Sequence, residues 1–145
     1  MALVLTEEQQ LLRDTATQFF QERVGIQNLR KLRDEKDETG FDRAIWKEMA
    51  DLGFAGIMIS EKYGGTEFGP VGLGLVLEQA GRVLAATPLV STVLLCGSAI
   101  QLAGSANQRQ ELLTAIAAGD RVMALALEEG PHHNPTRIAT KAETR

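Results

Sequence analysis

The sequence has 145 residues, of which 44% are hydrophobic and 23% charged, with a formal net charge of −4 at pH 7. This length and composition predict one globular domain of ordinary size. The acidic balance excludes the basic surface expected of a nucleic-acid-binding protein. The single Cys96 excludes an internal disulfide. The first residues lack the basic region and apolar run of a signal peptide, which predicts a cytoplasmic location.

The first predicted helix covers residues 6–24. Thr6-Glu7-Glu8-Gln9 is a capping box, in which the Thr hydroxyl and the Gln side chain each satisfy a free backbone amide. Apolar residues then recur at helical spacing, and Gly25 is placed to close the helix. Residues 26–40 are charged and weakly periodic, so they are predicted mainly to connect, with room for a short helix.

A second helical pattern begins at Asp42, a suitable N-cap, and ends at Gly53, which can adopt the left-handed conformation. A short apolar run at 54–59 leads into the loop 60–66, which contains Gly64-Gly65. Paired glycines permit positive φ and close approach by another backbone. They match no phosphate-cradling motif. Gly72-Leu73-Gly74 does not either, because Leu77 stands where GxGxxG needs its third glycine.

The stretch 70–104 is the most apolar part of the chain, with no charged residue between Arg82 and Arg109. Pro88 divides it, and Thr87-Pro88 predicts a helix start with Thr as N-cap and Pro at the first helical position. Each half is shorter than the roughly 20 apolar residues that cross a bilayer, so no membrane span is predicted. A helix that is apolar all round is then expected to be the most buried one.

The last third of the chain changes character. Ser105-Ala106-Asn107-Gln108 is a second capping box, and it opens a helix that ends at Gly119. The apolar run 122–127 predicts a buried strand, residues 128–135 a loop, and the alternating pattern from Thr136 to Arg145 a half-buried strand. Two strands make no stable sheet alone, so the chain is expected to be part of a longer protein or to be completed by other chains.

The predicted fold class is therefore all-α. It is an orthogonal or up-down bundle of about five to six helices. The bundle covers residues 1–120, and residues 121–145 are the opening strands of a β-domain.

Several short segments, taken together in chain order, carry a further signal. They are 6–13 (TEEQQLLR), 46–57 (WKEMADLGFAGI), 61–65 (EKYGG), 77–82 (LEQAGR), 108–113 (QRQELL) with Ala118-Gly119, and 124–129 (ALALEE). Their order and spacing resemble the N-terminal helical domain of the acyl-CoA dehydrogenases, a family of FAD-dependent enzymes. The resemblance extends over nearly the whole chain and continues into the start of the family's middle β-domain.

The resemblance implies a function. The family oxidises an acyl-CoA thioester to the 2,3-enoyl-CoA: a carboxylate removes the α proton and the β hydrogen passes as hydride to FAD. It implies that the 61–65 loop and the central helices wall the acyl pocket, with Tyr63, Gly64 and Gly65 as substrate-binding residues. It also implies that the backbone of Leu127, Glu128 and Glu129 faces the flavin ring.

The resemblance has implications for the rest of the enzyme as well. The family's catalytic base lies in a C-terminal domain, so no catalytic residue is expected within this chain, which alone should be inactive. Further implications are an electron-transfer flavoprotein as acceptor, a role in fatty acid and lipid metabolism, and a homo- or hetero-tetramer. In that tetramer a partner subunit helps to complete each flavin site.

The flavin segment departs from the family pattern of Leu-Thr-Glu-Pro followed by Ala-Gly-Ser-Asp. Glu128 stands for the Thr and Gly130 for the Pro, so a hydroxyl that helps the flavin is missing. Either the chain is a divergent branch with altered flavin contacts, or it binds flavin weakly. Two other functions stay open: a helical interaction module without cofactor, and a partner subunit that has lost oxidation. A metal site formed by Glu128, Glu129, His132 and His133 is disfavoured, because the segment is a predicted loop.

Overall fold

A computed structural model describes residues 4–143, and its regular elements are all helical. They are α1 (Glu7–Arg23), α2 (Ile26–Asp34), α3 (Arg43–Asp51), a 3₁₀ turn (Glu61–Tyr63), α4 (Gly69–Arg82), α5 (89–103) and α6 (106–117). Helix α5 is wound as a π-helix over Leu89–Gly97 and continues as an α-helix over Ser98–Ala103. Helix α6 has a π-helical turn at Arg109–Leu113. The predicted all-α class is confirmed for the described residues.

The main core is built around aromatic side chains from α1 and the segment after α3. The Phe19 ring lies edge-on to Phe20 and Phe54, with centroids 5.3 and 5.9 Å apart. Such edge-to-face pairs add to the stabilisation from area burial. Helix α4 packs along α1. The buried residues Trp46, Met49, Leu73, Val76, Leu89 and Val93 complete the cluster.

The helix ends follow the sequence closely. Both capping boxes form: the Gln9 amide donates to the Thr6 hydroxyl at 3.2 Å, and the Gln108 amide donates to the Ser105 hydroxyl at 3.3 Å. Asp42 caps α3 by accepting the Ala44 amide at 2.8 Å. These predictions succeeded because a cap depends on residues within one turn of each other.

The predicted end of α1 near Gly25 is confirmed: its C-cap is Val24, and Gly25 is the N-cap of α2, a helix with no buried residue. The predicted start of α5 was wrong. At the start of α5, Pro88 rather than Thr87 is the N-cap, and no side chain caps that end. Because Pro lacks an amide hydrogen, it costs this helix start no hydrogen bond in either position.

Helix α5 is not buried on all sides as predicted. Its inner side carries Leu89, Thr92 and Val93, all with no exposed area. Its outer side leaves Val90 and Leu95 exposed, and Leu94 is only half-buried. The described helical domain therefore covers one side of an apolar helix and leaves an apolar outer side. No helix in the described part of the chain is long and apolar enough to cross a membrane.

The two predicted strands, 122–127 and 136–145, do not form among residues 4–143, and residues 144–145 lie outside the described part. A strand needs a neighbour to take its backbone hydrogen bonds, and 122–127 finds none in this part of the chain. Residues 128–140 instead fold back on themselves through side-chain contacts described below.

Candidate functional site

The loop that carries Tyr63, Gly64 and Gly65 is held in a compact turn by its own backbone. The Thr66 amide donates to the Gly56 carbonyl at 3.0 Å, and the Glu67 amide donates to the Ile59 carbonyl at 3.1 Å. The turn presses Gly65 so close to Ile59 that a Cβ on Gly65 would lie 1.9 Å from the Ile59 carbonyl oxygen. Gly64 ends the 3₁₀ turn at φ 80°. Both glycines therefore have a backbone role, and their contact with an acyl group stays a prediction.

Tyr63 links this loop to the far end of the chain. The half-buried Tyr63 packs against a small cluster of buried residues formed by Ile59, Leu113, Ile116 and Ala117. Met123 packs against the same cluster. The fold thus brings the predicted substrate loop beside the residues that lead into the predicted flavin segment.

A hydroxyl fixes the backbone of Met123 against α5. The Thr92 Oγ1 donates to the Met123 carbonyl at 2.8 Å and accepts from the Met123 amide at 3.0 Å. Thr92 has no exposed area. Thr92 was not predicted from the sequence to be a site residue. The available signal was a hydroxyl on a helix with few polar residues, since a buried hydroxyl needs a partner.

An uncharged groove lies between the start of α5, the segment after α6 and residues 39–41. It has a volume of about 510 Å³ and is lined by residues 39–41, 85–88, Ser91 and 122–124. None of these lining residues is charged. A groove of this composition suits an apolar group, because no charge would have to be desolvated to fill it.

Glu128 and Glu129, two predicted flavin-contact residues, are engaged in organising the exposed loop 128–140. Glu128 accepts the Asn134 amide at 3.0 Å and pairs with His133. Glu129 accepts the Ala139 amide at 2.6 Å and the Thr140 amide at 3.0 Å, together with the Thr140 hydroxyl. The Thr140 hydroxyl bond, and then the two amide bonds, lower the pKa of Glu129 below its ordinary value.

The backbone of this segment is free to contact a flavin, but the two carboxylates cannot donate hydrogen bonds to it. Residues 124–127 are exposed, and within residues 4–143 their backbone groups make no hydrogen bond. They are therefore available to a flat polar ring. An ionised carboxylate only accepts, so Glu128 and Glu129 cannot replace the hydroxyl of the family pattern. The exposed backbone of residues 124–127 leaves room for a flavin contact, and the two carboxylates do not reproduce the hydroxyl of the family pattern.

The described residues hold no obvious acid–base or metal centre. No three His, Cys, Asp or Glu side chains between residues 4 and 143 group around a possible metal position. The lowered pKa of Glu129 makes it a weak proton acceptor. Cys96 is buried on α5, and burial raises the pKa of its thiol, so it keeps its proton.

Residues 6–120 match the family described as acyl-CoA dehydrogenase, N-terminal domain. Mitochondrial isovaleryl-CoA dehydrogenase of Bos taurus is 33% identical over 127 residues, covering 86% of this chain and 29% of its own length. Among solved structures, the ChsE4-ChsE5 complex from Mycobacterium tuberculosis matches with a TM-score of 0.79 and 28% identity, over 92% of this chain and 36% of that one.

A more distant structure, acyl-CoA dehydrogenase complexed with FAD from Bacillus anthracis, shares the fold with a TM-score of 0.69 at 24% identity. It covers 88% of this chain and 22% of that one. Across these proteins the chain spans between 22% and 36% of the length of what it matches.

Proposed function

The chain belongs to the acyl-CoA dehydrogenase family, and we propose that it is the N-terminal part of an FAD-dependent enzyme that oxidises an acyl-CoA thioester to the 2,3-enoyl-CoA. The observation that carries this proposal is the packing of Tyr63 and Met123 on one buried cluster. An acyl group and a flavin must lie side by side for this reaction. The shared cluster holds the candidate segments for each beside one another.

The helical domain contributes a wall for the acyl chain. The groove beside α5 carries no charged lining residue. Burying an acyl chain there excludes water and limits its orientations. Tyr63, Gly64 and Gly65 are the proposed substrate-binding residues of the neighbouring loop.

The segment after Met123 contributes the flavin contact. FAD, when bound, accepts the β hydrogen as hydride. The exposed backbone of residues 124–127 and of Leu127, Glu128 and Glu129 is the proposed contact surface. As the resemblance to the family implies, the α proton is removed by a carboxylate outside residues 1–145, and the lowered pKa of Glu129 makes that residue a poor base.

The proposed boundary between the two domains lies after residue 120. Residues 1–120 form the helical domain, and residues 121–145 open a β-domain in which 122–127 and 136–145 pair as strands once neighbouring strands are present. The end of the family match at residue 120 supports this boundary.

The electron acceptor is an electron-transfer flavoprotein, and the protein acts in the cytoplasm. It assembles as a homo- or hetero-tetramer, in which a partner subunit completes each flavin site.

A second candidate function is a partner subunit that has lost oxidation. The engagement of Glu128 and Glu129 in their own loop favours it, because neither supplies a donor where the family has a hydroxyl. The two candidates differ in one property. A dehydrogenase holds FAD by itself or with its partner, and a non-oxidising subunit contributes no flavin signal.

The test is made on the protein at its full natural length, purified together with any partner subunit that accompanies it. The purified protein should show flavin absorbance, and a panel of acyl-CoAs should bleach it and reduce an artificial electron acceptor. Absence of flavin absorbance even with added FAD would contradict the dehydrogenase and favour the partner subunit.

A pair of variants tests the groove. Ser91→Phe fills the groove and should raise the KM for long acyl-CoAs. Val90→Phe adds the same ring at a neighbouring exposed position that does not line the groove, so it should change the KM less. Equal effects would mean that the groove does not hold the acyl chain.

A further inference from the structure

We propose that Thr92 is a positioning residue, whose buried hydroxyl fixes Met123, and with it the flavin-facing segment 124–127, against the apolar wall formed by α5. The inference rests on the proposed function. It adds a residue that couples the acyl-chain wall on α5 to the flavin-facing segment. Thr92 lies on α5 and is expected to touch neither the acyl group nor the flavin.

The geometry at Thr92 is specific. One hydroxyl serves both backbone groups of one residue: it donates to the Met123 carbonyl at 2.8 Å and accepts from its amide at 3.0 Å. A threonine hydroxyl has one donor and two lone pairs, so this arrangement uses its only hydrogen. The Thr92 amide donates separately to the Pro88 carbonyl at 2.8 Å, so the helix does not compete for the hydroxyl.

Met123 is the point where the chain leaves the helical domain. Val122 and Met123 are half-buried, whereas residues 124–127 are exposed. Within residues 4–143, no backbone group after Met123 bonds to the helical domain. Leu127 is four residues further on, and an extended chain advances roughly 3.3 Å per residue, so a tilt at Met123 is amplified at the flavin-facing end.

The helix itself supports the assignment. Thr92 lies within the π-helical stretch Leu89–Gly97, on the side that packs inward. On this side the neighbouring buried residues Leu89 and Val93 are apolar, so Thr92 is the residue there that can bond the passing backbone.

A purely structural role would give a different result from a positioning role. If Thr92 only satisfies two backbone groups of Met123, its loss should weaken FAD binding no more than another substitution that lowers stability by the same amount. If it positions the segment, its loss should weaken FAD binding beyond that. A control variant of matched stability separates the two roles.

The experiment compares three variants of the full-length protein. Thr92→Val keeps the shape and removes the hydroxyl, and Thr92→Ser keeps the hydroxyl. Val93→Ala removes a core contact on the same helix without touching Met123 or lining the groove. The measurements are thermal melting, the dissociation constant for FAD, the flavin absorption spectrum, and hydrogen exchange of the Met123 amide.

Thr92→Val is expected to weaken FAD binding about tenfold, in keeping with the sensitivity of such sites to small misplacement. It should also shift the flavin spectrum and speed the exchange of the Met123 amide. Thr92→Ser should restore all three properties. Val93→Ala should lower the melting temperature and leave FAD binding within about twofold of wild type, because it leaves the geometry at Met123 intact.

Equal weakening of FAD binding by Thr92→Val and Val93→Ala would overturn the inference. Unchanged exchange of the Met123 amide in Thr92→Val would overturn it as well. If the wild-type protein binds no FAD, the proposed function fails separately, and the comparison of Met123 amide exchange between Thr92→Val and Val93→Ala decides whether Thr92 holds the Met123 backbone in place.

Discussion

Gly64 and Gly65 are neighbours in one loop, yet the structure needs glycine at each for a different reason. Gly64 has φ 80°, with open space where a Cβ would stand. Gly65 has a negative or extended φ, but a Cβ there would meet the Ile59 carbonyl oxygen at 1.9 Å. At position 64 the positive φ disfavours any side chain, and at position 65 a side chain lacks space.

This difference predicts unequal effects of alanine. Gly64→Ala should cost about 1–2 kcal/mol of the free energy of unfolding, the usual cost of the left-handed conformation. Gly65→Ala should cost more, because the loop backbone must move away from Ile59. Urea unfolding of both variants measures the two losses. Equal losses would mean that the loop accommodates the new methyl group without displacement.

Position on α5 decides how much a charge costs. Val93 has no exposed area, whereas Leu95 is 42% exposed. Val93→Asp is expected to unfold the domain, since an unpaired buried charge costs at least about 3–5 kcal/mol. Leu95→Asp should change stability by about 0.5 kcal/mol or less, as surface substitutions usually do. Thermal melting of residues 1–145 followed by far-UV circular dichroism compares them; similar melting curves would contradict the observed orientation of α5.

Among the elements, α3 and α6 are tied together at the end of α6. The Trp46 indole donates to the Gly119 carbonyl at 3.0 Å, and the Lys47 ammonium donates to the Ala118 carbonyl at 2.8 Å. Helix ends leave carbonyls without partners, and α3 satisfies two of them. These bonds, with Gly119 at φ 77°, set the direction in which the chain leaves towards Met123.

The loop 128–140 is one element whose stability should depend on pH. Its Glu129 has a lowered pKa because Thr140 and the Ala139 amide bond the ionised form. A lowered folded pKa gives a stabilisation that is present above the unfolded value and is lost as the pH falls through the folded value. Protection of the Ala139 and Thr140 amides from hydrogen exchange should therefore disappear on acidification.

Two variants control the pH prediction. Glu129→Gln keeps an accepting oxygen but removes the titrating carboxylate, so its protection should no longer depend on pH. Glu128→Gln affects the Asn134 amide instead, and should leave the pH dependence of the Ala139 and Thr140 amides unchanged. Protection that still disappears on acidification in Glu129→Gln would show that the carboxylate does not organise the loop.

At the scale of the whole molecule, residues 1–145 alone are expected to bind FAD poorly and to turn over no acyl-CoA. The described residues provide a wall for the acyl chain and one backbone segment for the flavin, and Glu129 is a weak base. Proton abstraction needs a base within hydrogen-bond reach of the substrate. The measurement is dye reduction with added FAD and a panel of acyl-CoAs. Turnover above the no-enzyme control would place the catalytic groups within this chain, and Glu128, Glu129 and His132 would be the first residues to substitute.

Features that depend on near neighbours could be predicted from the sequence. The capping boxes at Thr6 and Ser105, the Asp42 cap, and the glycine stops at Gly53 and Gly119 all involve residues within about one helical turn. The order of the family segments is likewise a property of the chain itself, and the family match over residues 6–120 bears it out.

Features that depend on distant neighbours were decided only by the tertiary structure. An apolar helix cannot indicate which side a domain will cover, so the exposure of Val90 and Leu95 was not predicted. The strand pattern at 122–127 does not become a strand in the described chain, because strand formation needs hydrogen bonds from another strand. The Thr92–Met123 pair and the packing of Tyr63 and Met123 on one buried cluster join residues far apart in the sequence. Only folding brings such residues within contact distance.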